Sequence, residues 1–252
     1  IALQAAMDQP GEVAKLFEES VGQLGRLHTL IVNAGIFPPH KVSGDTDAWW
    51  EVWKRTLAVN LDAAGLLTKL GITHFRETGG GRFIYIGSRA AFRGETEDFL
   101  AYAASKGGLT SLARSVARSF GKDRITSFTI APGFTRTAMA EPFIAAYGEE
   151  TLLNEISLPE LTLPEDISPL AAFICSGGMD HATGTVIDVN AERRNRCPRW
   201  RGGGGGRFLK VESDQQIGRE TDALPTEEQL HQIVGRDQCQ HGFHVNLPPD
   251  GR

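Results

Sequence analysis

The chain has 252 residues and a mass of 27.4 kDa, the size of one ordinary α/β domain. Hydrophobic residues make up 40% and charged residues 23%, which excludes a disordered, collagenous or coiled-coil chain. The net charge of −5 argues against a whole-chain nucleic-acid binder, and no apolar run approaches the length of a membrane span.

Gly11 to Gly25 has Val13, Leu16, Phe17, Val21 and Leu24 at helical spacing, with Gly25 as the stop. Leu27 to Val32 reads as a short buried strand running into the turn Asn33-Ala34-Gly35. Thr46 to Glu77 is mostly helical and is broken by Gly79-Gly80-Gly81. Phe83 to Ile86 is a second strand, Tyr102 to Phe120 a helix, and Ile125 to Ile130 a third strand ended by Pro132-Gly133. Asp166 to Cys175 is helical, and Thr185 to Val189 is a final strand. Strands alternating with helices in this way imply right-handed βαβ crossovers and a parallel sheet with helices on both faces. Such sheets bind ligands beyond the carboxyl ends of their strands. Asn33-Ala34-Gly35, Gly87-Ser88 and Pro132-Gly133 are therefore expected to line one crevice.

Composition changes abruptly near Asn190. Residues 1–190 carry 16 Lys and Arg against 22 Asp and Glu, whereas residues 191–252 carry 10 against 9. Within the latter, the run Gly202 to Gly206 suits a flexible linker better than a packed element. The chain thus divides into a domain, 1–190, and a largely irregular Gly/Arg-rich tail, 191–252. In the tail, Thr226 to Val234 reads as a short helix. Arg199 to Arg207 with Trp200 fits weak RNA binding less well than a linker. Cys239, His241 and His244 lack a fourth ligand and a paired motif, so no metal site is expected. Cys175, Cys197 and Cys239 are too few and too scattered for a disulfide framework. The chain opens at Ile1 without a secretory signal, so a cytoplasmic location is expected, with a start that need not be the start of its gene.

The chemistry concentrates in Tyr102-Ala103-Ala104-Ser105-Lys106, which sets a phenol and an ammonium one helical turn apart. An ammonium close to a phenol favours the phenolate and is expected to bring its pKa down from about 10. A phenol so tuned can give or take a proton at an alcohol or carbonyl oxygen. Ser88 follows a strand ending near the same edge, where its hydroxyl could hold the reacting oxygen; Ser105 and Thr96 compete for that role. Tyr-x-x-x-Lys is weak evidence alone, since a solvated helix face can show it by chance. Asn33 also reads as a plain turn residue, and Asn60 as an exposed polar residue in mid-helix.

Taken together, Asn33-Ala34-Gly35, Asn60 within Val59-Asn60-Leu61, Ser88, Tyr102-x-x-x-Lys106 and Pro132-Gly133 stand in an order and spacing that resemble the short-chain dehydrogenase/reductase family over residues 1–190. The resemblance implies a doubly wound, Rossmann-like parallel sheet and hydride transfer between NAD or NADP and a secondary alcohol or ketone. It implies Tyr102 as acid/base, Lys106 lowering its pKa and holding the nicotinamide ribose, and Ser88 positioning the substrate oxygen. Asn60 would interrupt its helix and hold a water linking Lys106 to solvent. Asn33, Ala34 and Gly35 would line the adenosine-ribose side of the cofactor pocket, with Pro132, Gly133, Thr135 and Thr137 near the nicotinamide and its phosphate. A small-molecule substrate and a homo-oligomer packed through the helices of Asn60 and Tyr102 follow, with no membrane or nucleic-acid partner.

The sequence also departs from the family's pattern. No Gly-x-Gly-x-x-Gly turn stands anywhere in it, so the diphosphate cradle and the residue that separates NAD from NADP are missing. By the resemblance, Ile1 to Ala6 would be the sheet's third strand, the first two strands being lost. Ile1 to Ala6 is then expected not to pair as in the full fold, leaving one edge of Leu27–Val32 open. Two functions follow from this: an oxidoreductase, inactive as given or not, and a non-catalytic fold remnant acting by association.

Overall fold

The computed structural model describes residues 1–191. It opens on an unpaired stretch and then α1, Pro10–Leu24, which carries Pro at its first turn and ends at Gly25 with φ 72°. Strand β1, Thr29–Val32, leads to α2, Thr46–Leu57, whose N-cap Asp45 accepts the Ala48 N–H at 2.9 Å. A π-helical turn, Ala58–Asp62, joins α2 directly to α3, Ala63–Glu77, so the expected long helix is continuous but rewound around Asn60. Strand β2, Gly81–Ile86, is followed by the short α4, Ala90–Arg93, and by α5, Leu100–Phe120. Strand β3 spans Ile125–Pro132. Helices α6, Glu141–Tyr147, α7, Glu149–Leu153, and α8, Pro164–Cys175, precede β4, Val186–Val189.

The four strands are parallel and lie in the order β1-β2-β3-β4, with Leu30 opposite Phe83, Ile84 opposite Phe128 and Ile130 opposite Ile187. Alternate side chains feed two cores. On one face Val32, Phe83, Tyr85 and Ile125 pack with Phe17 of α1, Phe75 of α3, and Leu109 and Val116 of α5. On the other, Ile84, Phe128 and Ile130 pack with Ile174 of α8. Helices therefore cover both faces, and the architecture is the Rossmann-like α/β one expected. Close approach of α3 to the sheet depends on Gly71, where a Cβ would lie 2.6 Å from Leu30 Cδ1. The Tyr85 hydroxyl, buried in the first core, shares a hydrogen bond of 2.7 Å with Thr68, and burial holds its phenol well above the ordinary range.

Ile1 to Ala6 forms no strand and pairs with none, as expected for it; the Ala6 N–H donates to Glu12 Oε2 at 2.7 Å. Among the described residues β1 pairs on one side only, as expected for its edge. Its outer face is open as well. Ile31 is 49% exposed while Ile84, its register partner on β2, is fully buried, because α8 covers the strands beyond β1. The expected helix at Thr226–Val234, the Arg199–Arg207 segment and the Cys239, His241, His244 set lie outside the described residues.

Candidate active site

The carboxyl ends of the strands are stitched together by backbone bonds. The Gly87 N–H donates to the Ile130 carbonyl at 2.7 Å, the Arg89 N–H to the Pro132 carbonyl at 3.0 Å and the Gly133 N–H to the Val189 carbonyl at 3.0 Å. Gly133 has its own reason for lacking a side chain, since a Cβ there would lie 2.7 Å from the Asn190 Cα and carbonyl oxygen. It packs β3 against the end of β4.

Around this edge the expected residues converge from four elements. Asn60, 1% exposed in the π turn, accepts the Ile36 N–H at 2.8 Å and donates to the Ile36 carbonyl at 3.0 Å and to Ser105 Oγ at 3.1 Å. It is thus buried and fully engaged, which corrects the exposed reading. Lys106 extends from α5 and donates to the Ile86 carbonyl at 2.8 Å. Gly35 closes the group, with its Cβ direction 3.5 Å from both Asn60 Oδ1 and Lys106 Nζ. Ser88, buried at the end of β2, lies within hydrogen-bonding reach of the Tyr102 phenol, and its Oγ also accepts the Ala90 N–H at 3.1 Å. Ser105 faces Asn60 and its own helix, and Thr96 is exposed, which leaves Ser88 as the hydroxyl beside Tyr102.

The electrostatics differ from the expectation. Burial pushes the Tyr102 phenol above its ordinary value; the Ser88 hydrogen bond opposes this, and the Glu95 carboxylate adds to it. Burial also brings Lys106 down to about 8. The Lys106 ammonium stands 5.7 Å from the Tyr102 ring centroid. Desolvation outweighs the attraction between phenolate and ammonium, so the lowered phenol expected from their spacing is not what this site shows.

The other expected residues are placed less centrally. Asn33 and Ala34 are exposed just past β1. Pro132 ends β3, and Thr135 Oγ1 donates to the Gly133 carbonyl at 3.3 Å while its backbone bridges Thr162. Thr137 is exposed, and its carbonyl accepts the Ala140 N–H at 2.8 Å ahead of α6. Three neighbours of Tyr102 escaped the sequence reading. Phe37 meets it edge-on at 4.6 Å, Phe99 stacks on Phe37 at 3.9 Å, and Glu95 acts on it through charge. Phe99 alone had a signal, standing three residues before Tyr102 at helical spacing.

Among the described residues no three His, Cys, Asp or Glu side chains are grouped to hold a metal, and no helix is long and apolar enough to cross a membrane.

Residues 2–191 match a family described as enoyl-(acyl carrier protein) reductase. A short-chain type dehydrogenase/reductase of Sinorhizobium fredii is 32% identical over 174 residues, spanning 69% of this chain and 68% of the relative. A 7α-hydroxysteroid dehydrogenase solved with NADH and 7-oxo glycochenodeoxycholic acid aligns with TM-score 0.70 and 25% identity, over 76% of this chain and 73% of its own. A protein from Beutenbergia cavernae, classed as an NAD(P)-dependent gluconate 5-dehydrogenase and solved with NADP, aligns with TM-score 0.70 and 28% identity, over 76% and 75%. The chain belongs to the short-chain dehydrogenase/reductase family.

Proposed function

We propose that this chain is an NAD(P)-dependent oxidoreductase acting on a secondary alcohol or ketone, with Tyr102 as acid/base, Ser88 holding the substrate oxygen, and Lys106 and Asn60 supporting them. The observation that carries this reading is the pairing of Tyr102 with Ser88 at the carboxyl end of β2, one helical turn from Lys106. The bound nicotinamide would supply or accept hydride. The residues present fit its nicotinamide-ribose half. Lys106 directs an ammonium beside Gly35, and Asn33 and Ala34 lie open at the same edge. Pro132, Gly133, Thr135 and Thr137 would flank the nicotinamide side. For the diphosphate half the described residues hold no strand, glycine-rich turn and helix in succession.

Each residue has a distinct task. Ser88 donates to the substrate oxygen and fixes it at hydrogen-bond distance from the phenol. Tyr102 then delivers its proton to that oxygen in reduction, or removes it in oxidation. A phenol held above its ordinary value is protonated at neutral pH, which suits donation to a ketone oxygen. Lys106 is mostly protonated at neutral pH and replenishes the phenol, with Asn60 holding the Ile36 loop against it. The wall of Phe37, Phe99 and Phe143 beside Tyr102 suits a partly apolar substrate.

Residues 1–190 form the domain that does this, with 191–252 as an appended tail, and the protein works in the cytoplasm as a homo-oligomer. The half-exposed Trp50, stacked with Trp49 and Trp53 on α2, supports a self-contacting surface there. Quenching of the tryptophan fluorescence by NADH or NADPH tests the proposal. Saturable quenching and turnover on a panel of ketones are expected. No binding at millimolar cofactor would overturn it.

A further inference from the structure

We propose that Arg89 is a positioning residue of this site: through Glu155 it fastens the segment following α7 onto the end of β2 and keeps that segment seated beside Ser88. Arg89 is the residue after Ser88, and its backbone is already tied to Pro132. Its side chain is only 7% exposed, and its Nη2 stands 3.1 Å from Glu155 Oε2. Arg93 Nη1 reaches the same oxygen at 3.1 Å.

The arrangement is self-explaining in charge. Arg89 and Arg93 lie four residues apart across α4, so their side chains share one face, where like charges repel. A guanidinium taken out of water also needs a counter-charge. One carboxylate between the two answers both demands, and it comes from a distant part of the chain. Glu95 adds a second negative charge and feels Arg93, Arg89 and Glu155 in turn. Among the described residues, Arg89 and Arg93 thus meet the carboxylates of Glu155 and Glu95 at the border between β2 and the segment 149–157.

That segment is seated by apolar contacts too. Leu152 and Ile156, on either side of Glu155, are buried with Leu161 against Phe134 and Phe143. Phe143 lies 6.3 Å from Phe99, which stacks on the Phe37 that meets Tyr102. The segment thus reaches the site by two routes. The apolar route gives adhesion without direction; the ion pair gives register, because a shared carboxylate oxygen permits little sliding. Loss of it would let the segment drift from Ser88 while the sheet stays intact.

The inference rests on Ser88 and Tyr102 being the reacting pair, but its test needs neither cofactor nor turnover. Hydrogen–deuterium exchange is followed by mass spectrometry on the full chain and on Arg89→Met, Arg89→Lys and Glu155→Gln. Amides of residues 149–157 are expected to exchange about threefold or more faster in Arg89→Met and Glu155→Gln, with β2 and β3 unchanged. Arg89→Lys, which keeps the charge, is expected to recover most of the protection. Unchanged exchange at 149–157 in Glu155→Gln, a half-exposed position where the fold tolerates the change, would overturn the proposal even if Arg89→Met fails to fold. So would a uniform rise over the whole chain, or an Arg89→Lys variant as open as Arg89→Met.

Discussion

Asn60 and Ile36 hold each other by two hydrogen bonds, the side-chain amide taking the Ile36 N–H at 2.8 Å and returning a donor to its carbonyl at 3.0 Å. An amide side chain pairs with a peptide group in this way only when it faces the backbone squarely. The π turn provides that orientation by widening the helix under Asn60. One helical irregularity thereby anchors the loop after β1 against Lys106. Asn60→Ala would leave both groups of the half-buried Ile36 without this partner and remove the Ser105 contact as well. It is expected to lower stability by about 2–4 kcal/mol in urea unfolding, with an unchanged m-value.

Lys106 predicts a dependence of stability on pH. Its folded pKa, about 8, is depressed from 10.5, so between these values the unfolded chain binds more protons and stability rises with pH. The stabilising contribution of the neutral amine is complete above 10.5 and is lost as pH falls through 8. At neutral pH the buried ammonium is a cost. Lys106→Met is therefore expected to gain on the wild type at pH 7, and that gain should shrink by at most about 3 kcal/mol on going to pH 10.5. Denaturant unfolding of both proteins at the two pH values measures it; a constant difference would refute the assigned cause.

Tyr102 is open to direct spectroscopic titration as tyrosinate at 295 nm, by difference against Tyr102→Phe. Glu95→Gln removes a charge that opposes ionisation and is expected to move the midpoint down. Ser88→Ala removes the hydrogen bond that favours it and is expected to move the midpoint up. Shifts of the opposite sign would mean that the phenol has other neighbours.

On the proposed mechanism, Tyr102→Phe keeps the ring contacts with Phe37 and loses only the proton carrier. Turnover of a ketone is expected to fall by about a hundred- to ten-thousand-fold, with NAD(P)H quenching of tryptophan fluorescence retained. Activity surviving intact would remove Tyr102 from its role.

Gly133→Ala tests the packing of the site's floor. With a Cβ 2.7 Å from the Asn190 backbone, β3 and the end of β4 must separate. A loss of about 1–3 kcal/mol is expected, read as a lower unfolding midpoint.

Much of this was legible in the residues. The helices over 10–24 and 100–120 and the inner strands declare themselves through apolar spacing, and Gly25 sits where a helix must end. Asn33-Ala34-Gly35, Gly87-Ser88 and Pro132-Gly133 could be placed on one edge because parallel strands deliver their carboxyl ends there, and helical spacing set Tyr102 one turn from Lys106; that Asn60 joins them was implied only by the family resemblance. Helices α6 and α7 were not legible, since their few apolar residues are mixed with polar ones and their burial depends on Phe134 and Leu161 from outside. That Ile1–Ala6 stays unpaired was legible too, for a physical reason: backbone with no neighbouring strand to bond forms no ladder. The direction of the Tyr102 shift could not be read either. Sequence gives the spacing to Lys106, but the aromatic wall that dries the phenol comes from Phe37 and Phe99 and is visible only once the chain is folded.

The strand order has a consequence for how the domain is made. Because β1, β2, β3 and β4 lie side by side in the order of the chain, no strand among the described residues is inserted between two others already paired. Each of these strands leaving the ribosome finds the previous one presenting a free edge, and the helices between them cross back over the sheet. Vectorial synthesis and sheet growth therefore run in the same direction, with few long-range closures left for the end.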